Sequence, residues 1–329
     1  MNNVTLQDGA QAAGVSLATV SRALHGGYVS AEKRRRIEEA VRTLRYIPNQ
    51  SAAALKRNRS RTIGHLMHFH DNLLASRVNA GLARAAHERG YSLFSVTSNG
   101  GGEDSRRMAE ELISRRMDGM VVTSCRELPA ETTAHLAEVG IPTVLIERWA
   151  PGAMGDRIRI DDVAGARCAV AQRLAAGRKR VAFIGCGDFS QEVERQRLWG
   201  YREALESAGV PEEIRLIRLT EDYTPEEGRR AMEALLESGG CDAVFCASDL
   251  LAAGVLQSLY RRNIRVPDQI AVTGYDNTVS AMLSPQISSV ALDCDEIGRQ
   301  AMALLLRRMD NPGLEEKEIT ILPTLIARD

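Results

Sequence analysis

Apolar residues near the start of the chain recur at helical spacing, and further along they gather into short runs. Leu6 to Ala13 has helical spacing behind Thr5, a natural N-cap; Gly14-Val15 makes a sharp turn; Ser16 caps a second helix reaching about His25. A third helix is expected from about Ser30 to Leu44, burying Ile37, Val41 and Leu44, while Val15 and Val20 pack inward with Ala10. This is a helix-turn-helix layout. From Arg61 onward the pattern becomes strand and helix in alternation. Runs "TIGHLMH", "YSLFSV", "GMVVTS" and "PTVLI" form one series; "RVAFIG", "IRLIRL", "DAVFCAS" and "QIAVTG" form a second. Buried parallel strands with crossover helices produce such alternation. The fold class expected is therefore an all-α head followed by an α/β body of two doubly wound parallel-sheet subdomains.

Charge is distributed unevenly between these parts. The 329 residues carry a formal net charge of -1, with 44% hydrophobic and 4% aromatic residues. Residues 1–61 nevertheless hold a net of +7, and the other 268 a net of -8. A small cationic module on an acidic body attracts polyanions, with binding that is steeply dependent on salt. Charge alone leaves an ordinary solvated helix equally open, since "AEKRRRIEEAVRTLRY" has the mixture of an exposed helix face. The six cysteines, Cys125, Cys168, Cys186, Cys241, Cys246 and Cys294, show no metal or redox spacing and are expected to be reduced packing residues. No apolar run approaches membrane-spanning length, and "MNNVTLQDG" lacks the layout of a signal peptide, so a cytoplasmic protein is expected.

The helix pattern decides between the two readings of the charge. The exposed face of the second helix offers Leu17, Ala18, Ser21 and Arg22 near its N-terminal half, the part that enters a major groove. Arg22 can pair bidentately with guanine, Ser21 and Thr19 can hold phosphates, and Leu17 and Ala18 can meet thymine methyls. Enzyme signatures are weak by comparison. "IGCGDFS" carries only part of a dinucleotide fingerprint, and G-x-x-x-x-G-K-[ST], H-E-x-x-H and G-x-S-x-G are all missing from the sequence. Neither a cofactor nor a metal is expected.

The stretches "VTLQDGAQAAGVSLATVSRALHG" and "VSAEKRRRIEEAVRTLRYIPNQSAAALKRNRSRTIG", followed in order by "RMDGMVV", "GIPTVLIER", "IDDVAGA", "RQRLWGYREAL", "AVFCASDLLAAGVL" and "VPDQIAVTGYDN", resemble the lactose/galactose repressor (LacI/GalR) family across essentially the whole chain. The resemblance implies a transcriptional repressor whose affinity for operator DNA is set by a small effector, a sugar or sugar derivative. It divides the chain into a DNA-binding headpiece, 1–48, a hinge, 49–60, and an effector-binding and dimerisation body, 61–329. The lobes of the body are then about 61–160 with 293–321, and about 161–292 with 322–329, of periplasmic-binding-protein type, with chain crossings near Ile160, Leu292 and Leu322. A homodimer at a palindromic operator, in the cytoplasm at the nucleoid, completes the picture. The alternative is a cytoplasmic sugar-binding protein or sugar-active enzyme without specific DNA binding.

Site residues follow from the same resemblance. DNA contacts are implied for Thr5, Leu6, Ser16, Leu17, Ala18, Thr19, Ser21, Arg22 and His25 in the head. Asn49, Ala52, Leu55 and Lys56 follow in a hinge helix, where Leu55 would wedge between base steps in the minor groove. For the effector, the residues are His68, Asn72, Glu147, Arg197, Tyr223, Ser248, Asp249 and Asp276. Arg197 would reach across the cleft to hydroxyls or carboxylates of the effector, Asp276 would accept hydrogen bonds from paired sugar hydroxyls, and Tyr223 would stack on the ligand. The plainest departure from the family is "HLMHFHDNLLASR", where relatives commonly carry proline-aspartate and then Asn-Pro-Phe. His65, His68, His70 and Asp71 there suggest a metal, but a strand alternates faces, so only His68 and His70 could act together, and effector contact or ordinary packing is the better expectation. Gly9 stands where the family usually has valine, at a cost of about 1 kcal/mol in helix stability.

Overall fold

The structure, a computed structural model, describes residues 4–24, 27–46, 59–68, 73–98, 102–123, 128–147, 151–188 and 192–328. It divides into two compact units, Met1–Ser60 and Arg61–Asp329. In the first unit, α1 (Leu6–Ala13), α2 (Leu17–Leu24) and α3 (Ala31–Leu44) pack around Ala10, Ala13, Val20, Ala23, Ile37 and Ala40. Thr5 and Asp8 form a reciprocal capping box at the start of α1. Gly14 ends that helix at φ 62°, a left-handed conformation that a side chain would resist, and its N–H reaches the carbonyls of Ala10 and Gln11. The Ser16 hydroxyl accepts the Thr19 N–H at 3.3 Å and so caps α2. Val41 and Leu44 are only partly buried; the fully buried positions of α3 are Ile37 and Ala40.

The second unit consists of two lobes, each a six-stranded sheet with helices on both faces. The N-lobe sheet has the order β11-β5-β4-β3-β1-β2, from β1 (Thr62–His68), β2 (Ser92–Ser98), β3 (Gly119–Thr123), β4 (Thr143–Ile146), β5 (Asp156–Ile160) and β11 (Glu318–Ile321). One face is covered by α4 (Leu73–Glu88) and α11 (Cys294–Asp310), through Leu74, Val78, Leu82, Ile297 and Met302. The other is covered by α5 (Gly102–Ser114) and α6 (Ala130–Glu138), through Ala109, Leu112 and Leu136. In the C-lobe the order is β12-β10-β9-β8-β6-β7, from β6 (Val181–Cys186), β7 (Ile217–Thr220), β8 (Ala243–Cys246), β9 (Ala271–Asp276), β10 (Ser288–Ala291) and β12 (Thr324–Ile326). Here α7 (Asp162–Ala175) and α8 (Glu192–Ser207) cover one face, and α9 (Pro225–Glu237) and α10 (Asp249–Arg261) the other.

All pairings are parallel except β10 with β12. The chain passes between lobes after β5, after β10 and after β11. Three facing helix pairs meet backbone to backbone; in one, a Cβ on Gly200 of α8 would lie 2.3 Å from the Val163 carbonyl of α7. A Cβ on Gly81 of α4 would lie 2.1 Å from the Cys294 carbonyl at the start of α11, and one on Gly254 of α10 would lie 1.8 Å from the Pro225 carbonyl of α9. Two expectations need correction. The segment "IRLIRL" begins as a 3-10 turn, Ile214–Leu216, and becomes strand only at Ile217, because the Leu216 N–H bonds back to Glu213. Cys168 is exposed on α7 and is not a packing residue.

Candidate functional site

The head presents a narrow polar and apolar strip along α2. Val20 and Ala23 point into the core, which leaves Leu17, 49% exposed, with exposed Ala18 and Arg22 and half-buried Ser21 on the outer side. Thr5 is exposed, with its hydroxyl engaged by Asp8, and Leu6 is half-buried against the core. Ser16 and Thr19 share a hydrogen bond of 2.8 Å between hydroxyls, which leaves one O–H of the pair to donate to an anion. Two arginines of the basic run have internal duties: Arg34 donates to the Gly27 carbonyl at 3.1 Å and Arg36 to that of Gly14 at 3.5 Å. Lys33 and Arg35 remain exposed. Tyr28, between α2 and α3, is 89% exposed and is a candidate contact that sequence reasoning missed. An aromatic in a turn carries no periodic signal, which is why only the structure reveals it. His25, Asn49, Ala52, Leu55 and Lys56 lie outside the described residues.

In the body, the candidate residues gather at the carboxyl ends of parallel strands, where open sheets of this kind place their ligands. Arg197 of α8 is only 5% exposed. Its Nε donates to Asp162 Oδ1 at 2.8 Å, Nη1 to the Ala247 carbonyl at 2.6 Å and Nη2 to Asp276 Oδ1 at 3.4 Å. The guanidinium carbon stands 3.8 Å from the centre of the Tyr275 ring, a cation-π contact in a desolvated setting. Burial works against the arginine's charge, but Asp162 and Asp276 more than compensate and keep it protonated. All these partners belong to the C-lobe, so here the guanidinium does not reach across the cleft. Asp162 and Tyr275 lie within the motifs "IDDVAGA" and "VPDQIAVTGYDN", but their role beside Arg197 arises only from proximity in space.

Asp276 ends β9 in a left-handed conformation, φ 83°, and Asn277 follows at φ 48°. Burial raises its carboxyl to about 7; Arg197 opposes the shift, and Asp249, Glu147 and Asp162 reinforce it. Glu147, just beyond β4 of the other lobe, is also left-handed at φ 64°, with its N–H on the Ile158 carbonyl at 3.0 Å. Such strained non-glycine residues collect where a site fixes its geometry. The Tyr223 hydroxyl donates to Glu194 at 3.0 Å and its ring is half-buried.

Two predicted contacts are supports in this structure. Asp249 is fully buried, with Oδ2 accepting the N–H groups of Val279 and Ser280, each at 3.0 Å, and Oδ1 accepting the Ser289 hydroxyl at 2.6 Å. It holds the loop after Asp276 in place. Ser248 is 5% exposed and caps α10 through the Leu251 N–H. His65 is also internal, with Nδ1 2.8 Å from Asn79 and Nε2 2.8 Å from Thr123, and burial lowers its pKa to about 4. Asn72, His70 and Asp71, and the side chain of His68, lie outside the described structure.

Comparison with known proteins agrees with this architecture. Residues 5–49 match the model of the bacterial regulatory proteins of the lacI family, and residues 170–329 match a periplasmic binding protein-like domain. The ribose operon repressor of Escherichia coli (strain K12) is 32% identical, covering 98% of both chains. A solved transcriptional regulator CelR-cellobiose complex is 29% identical with a TM-score of 0.73, covering 99% of both chains. The lac repressor dimer bound to operator and the anti-inducer ONPF, 24% identical with a TM-score of 0.83, shares the fold over 99% of this chain. These relationships set aside the enzyme reading. The chain belongs to the lacI family of bacterial regulatory proteins, and it is a DNA-binding transcriptional regulator with an effector-binding body.

Proposed function

We propose that this protein represses transcription as a homodimer on a palindromic operator in the cytoplasm, at the nucleoid, and that a small carbohydrate in the cleft controls its grip. The observation that carries the effector reading is the buried Arg197–Asp162–Asp276 group at the strand ends, with Glu147 contributed from the opposite lobe. Carboxylates flanking one fixed guanidinium supply paired acceptors and a donor for neighbouring hydroxyls, while their negative excess disfavours a phosphate or a carboxylate. The names of the ribose operon repressor and of the cellobiose complex support D-ribose and cellobiose as the first compounds to try. On DNA, Leu17, Ala18 and Arg22 would meet base edges and Ser16, Thr19, Ser21 and Tyr28 the backbone. Asn49, Ala52, Leu55 and Lys56 would act at the operator centre, with Leu55 as the wedge.

Selection from a random duplex library at fixed salt, with and without each sugar, tests both halves. A recovered palindrome whose retention changes with one sugar is the expected result. Failure to enrich any sequence under every condition would overturn the DNA reading. An operator indifferent to both sugars would overturn these two effectors. Leu55→Gly should weaken operator binding tenfold or more, an order taken from the unstacking a wedge supports, and leave sugar affinity unchanged.

A further inference from the structure

Arg77 lies on the second turn of α4, an exposed position on an N-lobe helix, yet its partners belong to the C-lobe. Its Nη1 donates to the Asn277 carbonyl at 2.6 Å and its Nη2 to the Thr278 carbonyl at 2.8 Å. These are the two residues that follow Asp276. One guanidinium thus spans two successive peptide carbonyls, a use that suits its planar fork and that an ammonium cannot reproduce.

Both ends of this bridge are anchored. On the C-lobe side Asp249 accepts the next two N–H groups, the Asn277 N–H bonds to Ser289 at 3.0 Å, and Arg328 Nη2 donates to Asn277 Oδ1 at 2.7 Å. On the N-lobe side, one turn past Arg77, Gly81 packs directly on the backbone of α11, and Arg84 Nε donates to Asp295 at 2.9 Å. Helix α4 shares its core with Ile63 of β1, the strand that follows the hinge in sequence. A second bond between lobes, Arg159 to Glu192 at 2.6 Å, stands beside the crossing after β5, where rotation of the lobes moves the partners least.

We propose that Arg77 is a positioning residue for effector sensing, which fastens the Asp276-bearing loop of the C-lobe to α4 of the N-lobe. The proposal rests on the reading of the cleft as the effector site. A ligand that draws on Asp276 shifts the two carbonyls that follow it, and Arg77 passes that shift to α4 and so to β1. The pairing itself carried no sequence signal, because Arg77 stands 200 and 201 positions from its partners.

The test compares Arg77→Ala and Arg77→Lys with wild type in the full-length chain. Arg84→Ala is the control, because its ion pair stays within the N-lobe. Hydrogen exchange in peptides covering 276–283 should speed up on the order of tenfold in both Arg77 variants, the worth of a lost charged hydrogen bond, and stay unchanged in the control. Operator affinity, measured on a duplex recovered by selection, should shift at least about threefold in the same two variants and in neither direction for the control. Unchanged exchange would overturn the proposal, as would faster exchange with unaltered operator affinity, which makes the bridge a local brace. Rescue by lysine would refute the two-carbonyl geometry. If wild type ignores D-ribose and cellobiose, these two effectors are overturned while both of these readouts still decide the role of Arg77.

Discussion

Asp276 gives the molecule a measurable response to pH. Its carboxyl moves from 3.8 to about 7 on folding, so the fold favours the protonated form. This group's contribution is therefore most favourable at low pH and is lost as pH climbs through the folded value. His65 acts in the opposite sense: lowered from 6.5 to about 4, it costs stability as pH falls between those values. Lowering the pH from 8 to 6.5 should gain about 0.8 kcal/mol at Asp276, of which protonation of His65 in the unfolded chain takes back about 0.4, and Asp276→Asn should remove the gain in urea denaturation. Arg197→Ala is expected to remove effector binding but also to cost about 3–5 kcal/mol, since it strands two buried carboxylates; calorimetry would show the fall in melting temperature. A motif could single out Arg197 and Asp276. It could not show that they hold each other, and so could not reveal that one residue serves both recognition and stability.

Among the elements, two glycines with similar sequence surroundings should respond in opposite ways to alanine. A Cβ on Gly9 of α1 meets nothing within 4 Å, so Gly9→Ala should stabilise the head by about 1 kcal/mol through helix propensity alone. Gly81 has the Cys294 carbonyl where its Cβ would be, so Gly81→Ala should destabilise the body by about 1–3 kcal/mol. Circular dichroism melts of the full chain would resolve the two changes. The alternation of strand and helix was readable because central parallel strands, such as "VAFIG" in β6, are apolar on both faces. The short strands β5, β10, β11 and β12 escaped because polar residues interrupt them, as in "DRIRI", where Arg159 pairs with Glu318 and Glu192. Depth of burial also escaped: sequence shows that Ser248 and Asp249 follow a strand, while only packing shows that Ser248 caps α10 and Asp249 supports the loop after β9.

At the scale of the whole molecule, charge and connectivity decide behaviour. The net of +7 in residues 1–61 sits on a body of opposite sign. Operator affinity should therefore fall by about three orders of magnitude between 50 and 200 mM salt, the loss typical of six or more phosphate contacts, and titration of a labelled operator would measure it. Sugar affinity, by contrast, should hardly respond to salt. The three passages between lobes leave from β5, β10 and β11, and β5 pairs with β11 in one sheet while β10 pairs with β12 in the other. Tethers gathered in this way resist sliding and leave the lobes little freedom except to turn about one line. On the reading proposed above, two compounds that set the same angle between the lobes and the same position of the loop after Asp276 would give the DNA end the same message, so discrimination between them would have to be made at the cleft.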